Sequence, residues 1–400
     1  MFKSLSFKSI GGILLVVGTS IGGGMLALPV ANSQAGFELS SLYLCFVWAV
    51  STFAAFLTLE VNLSLPPGSN MVSMARQTLG RFGEAIAWLA YCFLLFCLLS
   101  AYISGGADLL QSVLGIMGLN LPGTLSATIF VALLGSVVIG GIQRVDKANR
   151  GLMLSKLVLY IMFVILVIPN VHLPLLRHAN TQWAVGSWMV LVTSFGFSII
   201  VPSLRAYFAD DIPELRRVMF IGSIIPLFCY IIWDFVIMGV IPTQGPNGLY
   251  QILQQGHETT ALITALQEQL SNPAAIQAYR LFSSICMLTA FLGVSMALVD
   301  FLADGLQLQK RGIQGVILYS LTFLPALLIV VLYPGIFSKS LSYRGIFCVV
   351  LLILLPILMV WRGRYILKTI HGYHVMGGKS ALIVMLIIAT ALTIVGIIVR

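Results

Sequence analysis

The sequence predicts an all-α polytopic membrane protein with eleven transmembrane helices, and three observations carry that prediction. Of its 400 residues, 59% are hydrophobic and 9% are charged, with a mean hydropathy of +1.02; a soluble domain carries about 25% charged residues. The apolar residues gather into stretches long enough to cross a bilayer, since roughly 20 residues rising about 1.5 Å each cover a hydrocarbon core of about 30 Å. The first stretch is also interrupted where a plain helix should run on. Gly18, Gly22, Gly23 and Gly24, then Pro29, fall within GTSIGGGMLALP.

In chain order the stretches are about 10–31, 40–62, 84–109, 124–142, 152–170, 186–205, 218–241, 279–303, 313–332, 344–361 and 380–399. Lys3 and Lys8 ahead of the first resemble the start of a signal peptide. The apolar run is too long for one, no A-x-A site follows and more spans come after it, so it reads as a retained span. Inside a helix, glycine costs about 1 kcal/mol and proline about 3 kcal/mol against alanine, which leaves the middle of that span free to open. Non-helical backbone survives at membrane depth only where it is buried in protein or lines a wet cavity. The stretch is therefore either a discontinuous helix offering amides and carbonyls to something polar, or a tight packing face, because Gly18 and Gly22 also form GxxxG. The longest connection, 242–278, holds turn signals at Pro242 and Gly245-Pro246-Asn247-Gly248. Leu249, Ile252, Leu253, Leu262, Ile263, Leu266 and Leu270 follow at helical spacing. That suits a helix lying on the protein or in the interface, as a plain surface helix or an external lid.

The sixth span repeats the pattern of the first. Thr193 to Pro202 (TSFGFSIIVP) and Ser20 to Pro29 (SIGGGMLALP) share a small hydroxyl residue, a glycine-containing segment, a short apolar run and a closing proline. They lie five spans apart, an odd offset, so the two units run in opposite directions through the membrane. Paired broken helices in inverted repeats point to the binding site of a secondary transporter. The expected organisation is one transmembrane transport domain over 1–400, with a first five-helix repeat at about 10–170, an inverted second at about 186–361 and an extra helix at about 380–399.

Orientation follows from lysine and arginine placement. With the N-terminus cytoplasmic, only Arg177, Arg280, Lys339, Arg344 and Arg400 fall on the outer side, and the other 17 of the 22 basic residues fall on the inner side. An eleven-span chain then ends outside, in the periplasm. The net charge of +9 is thus a topology signal rather than a nucleic-acid surface, and no soluble segment interleaves aromatic and basic residues. The six cysteines lie in apolar runs without a CxxC pair, and read as small packing residues rather than disulfide or metal ligands.

GTSIGGGMLALP in the first span, SFGFSIIVPSL in the sixth, IPLFCYIIWDF in the seventh and FLGVSMALVDFLADGL in the eighth resemble the hydroxy/aromatic amino-acid permeases. These are the bacterial tryptophan/tyrosine permease group of the amino acid–polyamine–organocation superfamily. The resemblance covers nearly the whole chain. It implies a leucine-transporter-like fold of five-plus-five inverted repeats, and proton-coupled uptake of aromatic amino acids across the bacterial inner membrane, with no cofactor. The chain departs from the best-known members at Ser198, where they carry histidine after FGF. That departure bears on the substrate and on any proton role at the position.

The residues supply a chemistry of their own. A zwitterionic amino acid needs donors for its carboxylate and acceptors for its ammonium, and broken helices offer both. A half-helix N-terminus carries about +0.5 of an elementary charge, so amides near Gly22, Gly23 and Gly24 suit the carboxylate. Carbonyls at the two breaks, with Thr19, Ser20, Ser194 and Ser198, suit the ammonium. Phe195 and Phe197 flank Gly196 as an aromatic wall or gate, or as ordinary core packing. Tyr102, near Ser100 and Ser104 in the third span, faces substrate or joins the outer aromatic belt.

Ionisable residues inside spans are functional candidates. Lys156 lies a few residues into the fifth span. Snorkelling to the cytoplasmic surface is the favoured expectation. Facing inward, its ammonium would fill the place where sodium sits in related sodium-coupled folds, which makes it a candidate proton carrier. Ser295 is the corresponding candidate for a sodium site. Asp300 and Asp304 end the eighth span as partners for Lys156 or as helix-end charges. Asp234 in the seventh span has no partner legible in the sequence, and Glu60 is expected to pair with a basic loop residue. The loop RAYFADDIPELRR (Arg205 to Arg217) reads as an inner gate of ion pairs or a solvated connector.

Other classes fit less well. All five histidines (His172, His178, His257, His371, His374) fall in expected loops, and neither HExxH nor G-x-S-x-G occurs, which disfavours a membrane-embedded enzyme. No repeated filter or ring of charge suggests a channel. The sequence is read as a secondary transporter importing aromatic amino acids (tyrosine or tryptophan) by proton symport. Sodium coupling or a broader neutral amino-acid substrate is the alternative, and the lipid bilayer is its surroundings.

Overall fold

Helices alone make up the structure, a computed structural model that describes residues 6–116, 118–119, 121–177, 187–209, 211–255, 258–334 and 336–398. No strand occurs among the described residues. Nine of the described helices are long and apolar enough to cross a membrane, or ten if the bent first pair is one span.

The first span breaks at its glycines. α1 (Phe7–Ser20) starts at Ser6, whose hydroxyl accepts from the Ser9 N–H. α2 (Gly23–Asn32) resumes beyond Ile21 and Gly22 at a bend of 52°. Every residue of α2 is buried. No side chain caps its N-terminus, where helices leave their first amides without intrahelical partners.

α3 (Gly36–Leu63) is the second span. α4 (Met71–Ile116) is longer than the expected 84–109 at both ends. Gly80, at φ 78° and ψ −165°, turns the chain, so a short helical arm precedes the span proper; glycine takes that conformation without a Cβ penalty. α5 (Gly123–Ile139) is apolar but only 17 residues long. α6 (Ile142–Val167) and the single turn α7 (Leu173–Leu176) complete the first half.

The sixth span is interrupted as its glycine and proline predict. α8 (Trp188–Ser194) ends at Phe195 (φ −106°, ψ 30°), a 3₁₀ segment runs over Gly196–Ile200, and α9 (Val201–Phe208) restarts the helix with Pro202 in its first turn. α10 (Ile212–Met238) is capped by the Asp211 carboxylate, which accepts from the Glu214 N–H. The 242–278 connection forms two helices rather than one, α11 (Leu249–Gln255) and α12 (Glu258–Gln269). Leu249, Ile252, Leu262, Ile263 and Leu266 are buried there, and both helices pack on α2. The segment therefore lies on the protein.

α13 (Pro273–Leu306) packs on α4 and α6, and α14 (Gly312–Leu332) follows. α15 (Phe337–Cys348) begins the tenth span well before the expected residue 344. The polar run Ser338-Lys339-Ser340-Leu341-Ser342 looks like loop by composition but is wound as helix. A π-helical stretch, Val349–Leu354, joins it to α16 (Leu355–Tyr365), and α17 (Gly378–Ile398) ends the described chain.

Candidate functional site

The two helix breaks face each other, and the seventh span holds them together. The Tyr230 hydroxyl of α10 lies 2.6 Å from the Ser20 carbonyl at the end of α1 and 2.9 Å from the Ser194 carbonyl at the end of α8, and donates to both. The Lys156 ammonium of α6 donates to the next carbonyl, that of Ile21, at 2.6 Å. Lys156 is 2% exposed, so it does not snorkel. Hydrogen bonds to charged groups contribute about 1.5–3 kcal/mol, and an orphaned buried carbonyl costs about 1–3 kcal/mol. The energetic reason for the inward position is that Lys156 caps a carbonyl which the break removes from the helix ladder.

The break carbonyls of Ser20, Ile21 and Ser194 each already accept one bond, from Tyr230 or Lys156, and each keeps a second lone pair. Beside them lie the uncapped N-terminus of α2 and the Ser20 hydroxyl, which is buried without a partner among the described residues.

The structure brings most of the predicted residues to the breaks. A Cβ added at Gly23 would stand 2.5 Å from the Tyr102 ring, and one at Gly24 would stand 3.7 Å from the Ser194 hydroxyl. Nothing lies within 4 Å of the same point at Gly22. Tyr102 is buried at this contact, which removes it from the outer aromatic belt. Phe195 packs edge-on to Tyr230 with ring centroids 5.2 Å apart, and Phe197 is fully buried. Phe195, Gly196 and Ser198 line a cavity of about 10 Å³ with Ser51, Cys348 and Leu352. One water needs roughly 10–15 Å³, so this cavity has room for about one.

Four predicted residues spend their polar groups on partners of their own. Thr19 lies on the exposed face of α1 and donates back to the Leu15 carbonyl, away from the break. Ser295 is buried but spends its proton on the Phe291 carbonyl of its own helix. Asp300 is exposed and pairs with Lys310 at 2.6 Å, so it is a helix-end charge and not the partner of Lys156. The Ser194 hydroxyl likewise bonds within its helix, to Val190.

Other buried polar groups find partners that the sequence did not name. The Asn32 amide at the end of α2 donates to Asp234 of α10 at 2.6 Å, and both residues are fully buried. Arg344 was counted as an outer-side residue by its position. It lies inside α15 with its guanidinium 3.4 Å from where a Cβ on Gly196 would be. Tyr230 was visible only as a tyrosine in mid-span, and no spacing linked it to the two breaks.

The ends of the spans nearest the N-terminus are stitched together. Glu60 is fully buried, and both of its oxygens accept from Arg364. It also accepts from the Val375 N–H at 2.7 Å and contacts His374 at 3.2 Å. Arg205 donates to the Asn62 carbonyl, and to that of Leu65 at 2.9 Å. Ser9 donates to Glu214, which pairs with Arg217 at 3.8 Å. The ionic loop after the sixth span is thus engaged with α1 and the end of α3. Asp210, His178 and His257 lie outside the described residues.

Comparison with known proteins agrees with this architecture. Residues 6–396 match the model of the tryptophan/tyrosine permease family. A tyrosine-specific transport system 2 of Haemophilus influenzae is 31% identical over 98% of this chain and 96% of its own length. A glutamine transporter 2 of Aliivibrio fischeri is 30% identical over 94% of this chain and 96% of its own length. A solved manganese transporter of Eremococcus coleocola superposes with a TM-score of 0.63 at 14% identity, over 100% of this chain and 88% of that one, and so shares the fold. The chain is a multi-pass membrane transport protein rather than an enzyme, and it belongs to the tryptophan/tyrosine permease family.

Proposed function

We propose that the chain imports an aromatic amino acid, tyrosine or tryptophan, by proton symport through alternating access. The observation that carries the reading is the Lys156 ammonium on the Ile21 carbonyl, a buried cation fixed at the break of the first span. A cation there supplies in the protein what a bound metal ion supplies in sodium-coupled folds, and its proton is the exchangeable species. The name of the tyrosine-specific relative and the aromatic residues Phe195 and Phe197 support the substrate class. The small cavity supports alternating access, because an amino acid is too large for it unless the breaks part.

In this reading the nine long helices, the bent first pair counted as one span and the short α5 form eleven spans, arranged as five-plus-five inverted repeats with α17 outside them. The N-terminus is cytoplasmic, the C-terminus periplasmic and the membrane the bacterial inner membrane, as the basic residues indicate. Arg205 and Glu214 then belong to the inner gate. A second reading, a broader neutral amino-acid substrate, is favoured by the relative named a glutamine transporter and by Ser198.

The test is uptake of labelled tyrosine and tryptophan into proteoliposomes with an imposed proton gradient and no sodium. Accumulation driven by the gradient is expected. Accumulation that requires sodium overturns the coupling, and uptake of glutamine without either aromatic substrate overturns the substrate class.

A further inference from the structure

The break of the sixth span faces a cation that no ion pair among the described residues neutralises. Arg344 lies within α15, partly buried, with Nη2 3.4 Å from the point where a Gly196 Cβ would stand. Its Nε is buried and has no hydrogen-bond partner among the described residues, and its side chain meets the Cys348 thiol a turn further on. Cys348 lines the small cavity beside Gly196 and Ser198. No ion pair among the described residues involves Arg344. Its charge reaches the hydroxyls of Tyr102 and Tyr230, the first packed against Gly23 and the second bridging the two breaks.

The rest of the site has the same sign. The Lys156 ammonium is buried at Ile21, and the N-terminus of α2 is uncapped. The fully buried acids are engaged elsewhere, Glu60 with Arg364 and Asp234 with Asn32. The break carbonyls each already accept one bond, from Tyr230 or Lys156. Two cations and a helix N-terminus thus meet at the breaks, a field that favours an anion over a further cation. A guanidinium is planar and matches a carboxylate with two parallel bonds. An intramembrane cation without a counter-ion is costly, and a ligand carboxylate removes that cost.

We infer that Arg344 is the specificity residue that receives the substrate's carboxylate, and that this site selects its ligands by the carboxylate rather than by the ammonium. The inference rests on the transport reading above. It requires that an aromatic carboxylic acid lacking the amino group competes for the site, and that an aromatic amine lacking the carboxylate does not.

The experiment uses the full chain in proteoliposomes and in detergent. Inhibition of labelled tyrosine uptake is compared for 3-(4-hydroxyphenyl)propionate and tyramine, followed by Arg344→Gln and Arg344→Lys. The propionate should inhibit the wild type and tyramine should not. Loss of a charge-assisted bond should raise the half-saturating tyrosine concentration at least about tenfold in Arg344→Gln, with a smaller rise in Arg344→Lys. In detergent, thermal stabilisation by the propionate should vanish in Arg344→Gln while the unliganded melting temperature holds. Inhibition by tyramine equal to that by the propionate overturns the inference without any variant. So does Arg344→Gln with unchanged half-saturation and unchanged propionate stabilisation. If the wild type accumulates neither aromatic amino acid, the transport reading fails separately. The detergent assay, run with the carboxylate and the amine of whichever amino acid stabilises the chain, then still decides the role of Arg344.

Discussion

Three adjacent glycines at the first break should respond very differently to the same added methyl group. At Gly23 a Cβ would lie 2.5 Å from Tyr102 Cε1, 2.9 Å from Cδ1 and 3.3 Å from Met287 Sδ. Two carbon atoms in contact rest at about 3.5–4.0 Å, so the overlap is near 1 Å. Relief is blocked, because Tyr102 is 6% exposed and Met287 is fully buried. Overpacking of this kind costs about 1–3 kcal/mol. If that cost falls on the closed, substrate-holding form, binding weakens by a factor of about 5 to 150 at roughly 1.4 kcal/mol per tenfold. At Gly24 the nearest atom is the Ser194 hydroxyl at 3.7 Å, an ordinary contact, and at Gly22 nothing lies within 4 Å. The assay is initial-rate uptake by Gly22→Ala, Gly23→Ala and Gly24→Ala in proteoliposomes, with a melting curve to show that each is folded. Gly23→Ala should lose most uptake, Gly23→Leu all of it, and the two neighbours little. Equal loss at Gly22 and Gly23, or normal uptake by Gly23→Ala, would refute a packed site at Tyr102.

Lys156→Gln should retain substrate binding but lose the response of accumulation to an imposed proton gradient; gradient-driven accumulation at the wild-type level would leave Lys156 as a structural cap alone. Glu60→Gln removes one charge from a pair in which Arg364 is only 8% exposed. Breaking a buried pair on one side costs about 3–5 kcal/mol, so its melting temperature in detergent should fall clearly, and an unchanged value would show the pair to be solvated. Arg205→Ala should raise amide exchange over residues 62–65, whose carbonyls at Asn62 and Leu65 it holds. Unchanged exchange there would mean that the loop is held by other contacts.

Sequence reasoning reached the backbone features further than the side-chain ones. Glycines and prolines act locally, so the breaks at Ile21–Gly22 and at Phe195–Ile200 were legible from GTSIGGGMLALP and SFGFSIIVP alone. Side-chain direction depends on neighbours that are distant in the chain. Lys156 was expected to snorkel because it lies only a few residues into its span, yet its partner is Ile21, 135 residues away. Thr19 shared a motif with Ser20 but lies on another face of α1, since successive helical residues are separated by about 100° of rotation. Arg344 was misplaced because hydropathy set the start of the tenth span too late, across a polar run that is helical. Sign alone left Asp300 open as a partner for Lys156 or as a helix-end charge, and its pairing with Lys310 fits the second.

Tyr230 has one hydroxyl proton and two carbonyls to serve, one from each interrupted helix. If either helix withdrew by itself, the ring could follow only one of them, and the other carbonyl would be stranded in the protein interior at a cost of about 1–3 kcal/mol. If both withdraw together, neither is stranded. Solo excursions are therefore penalised and joint ones are not. The scarcity of a single hydrogen atom thus ties the two interrupted helices to one another.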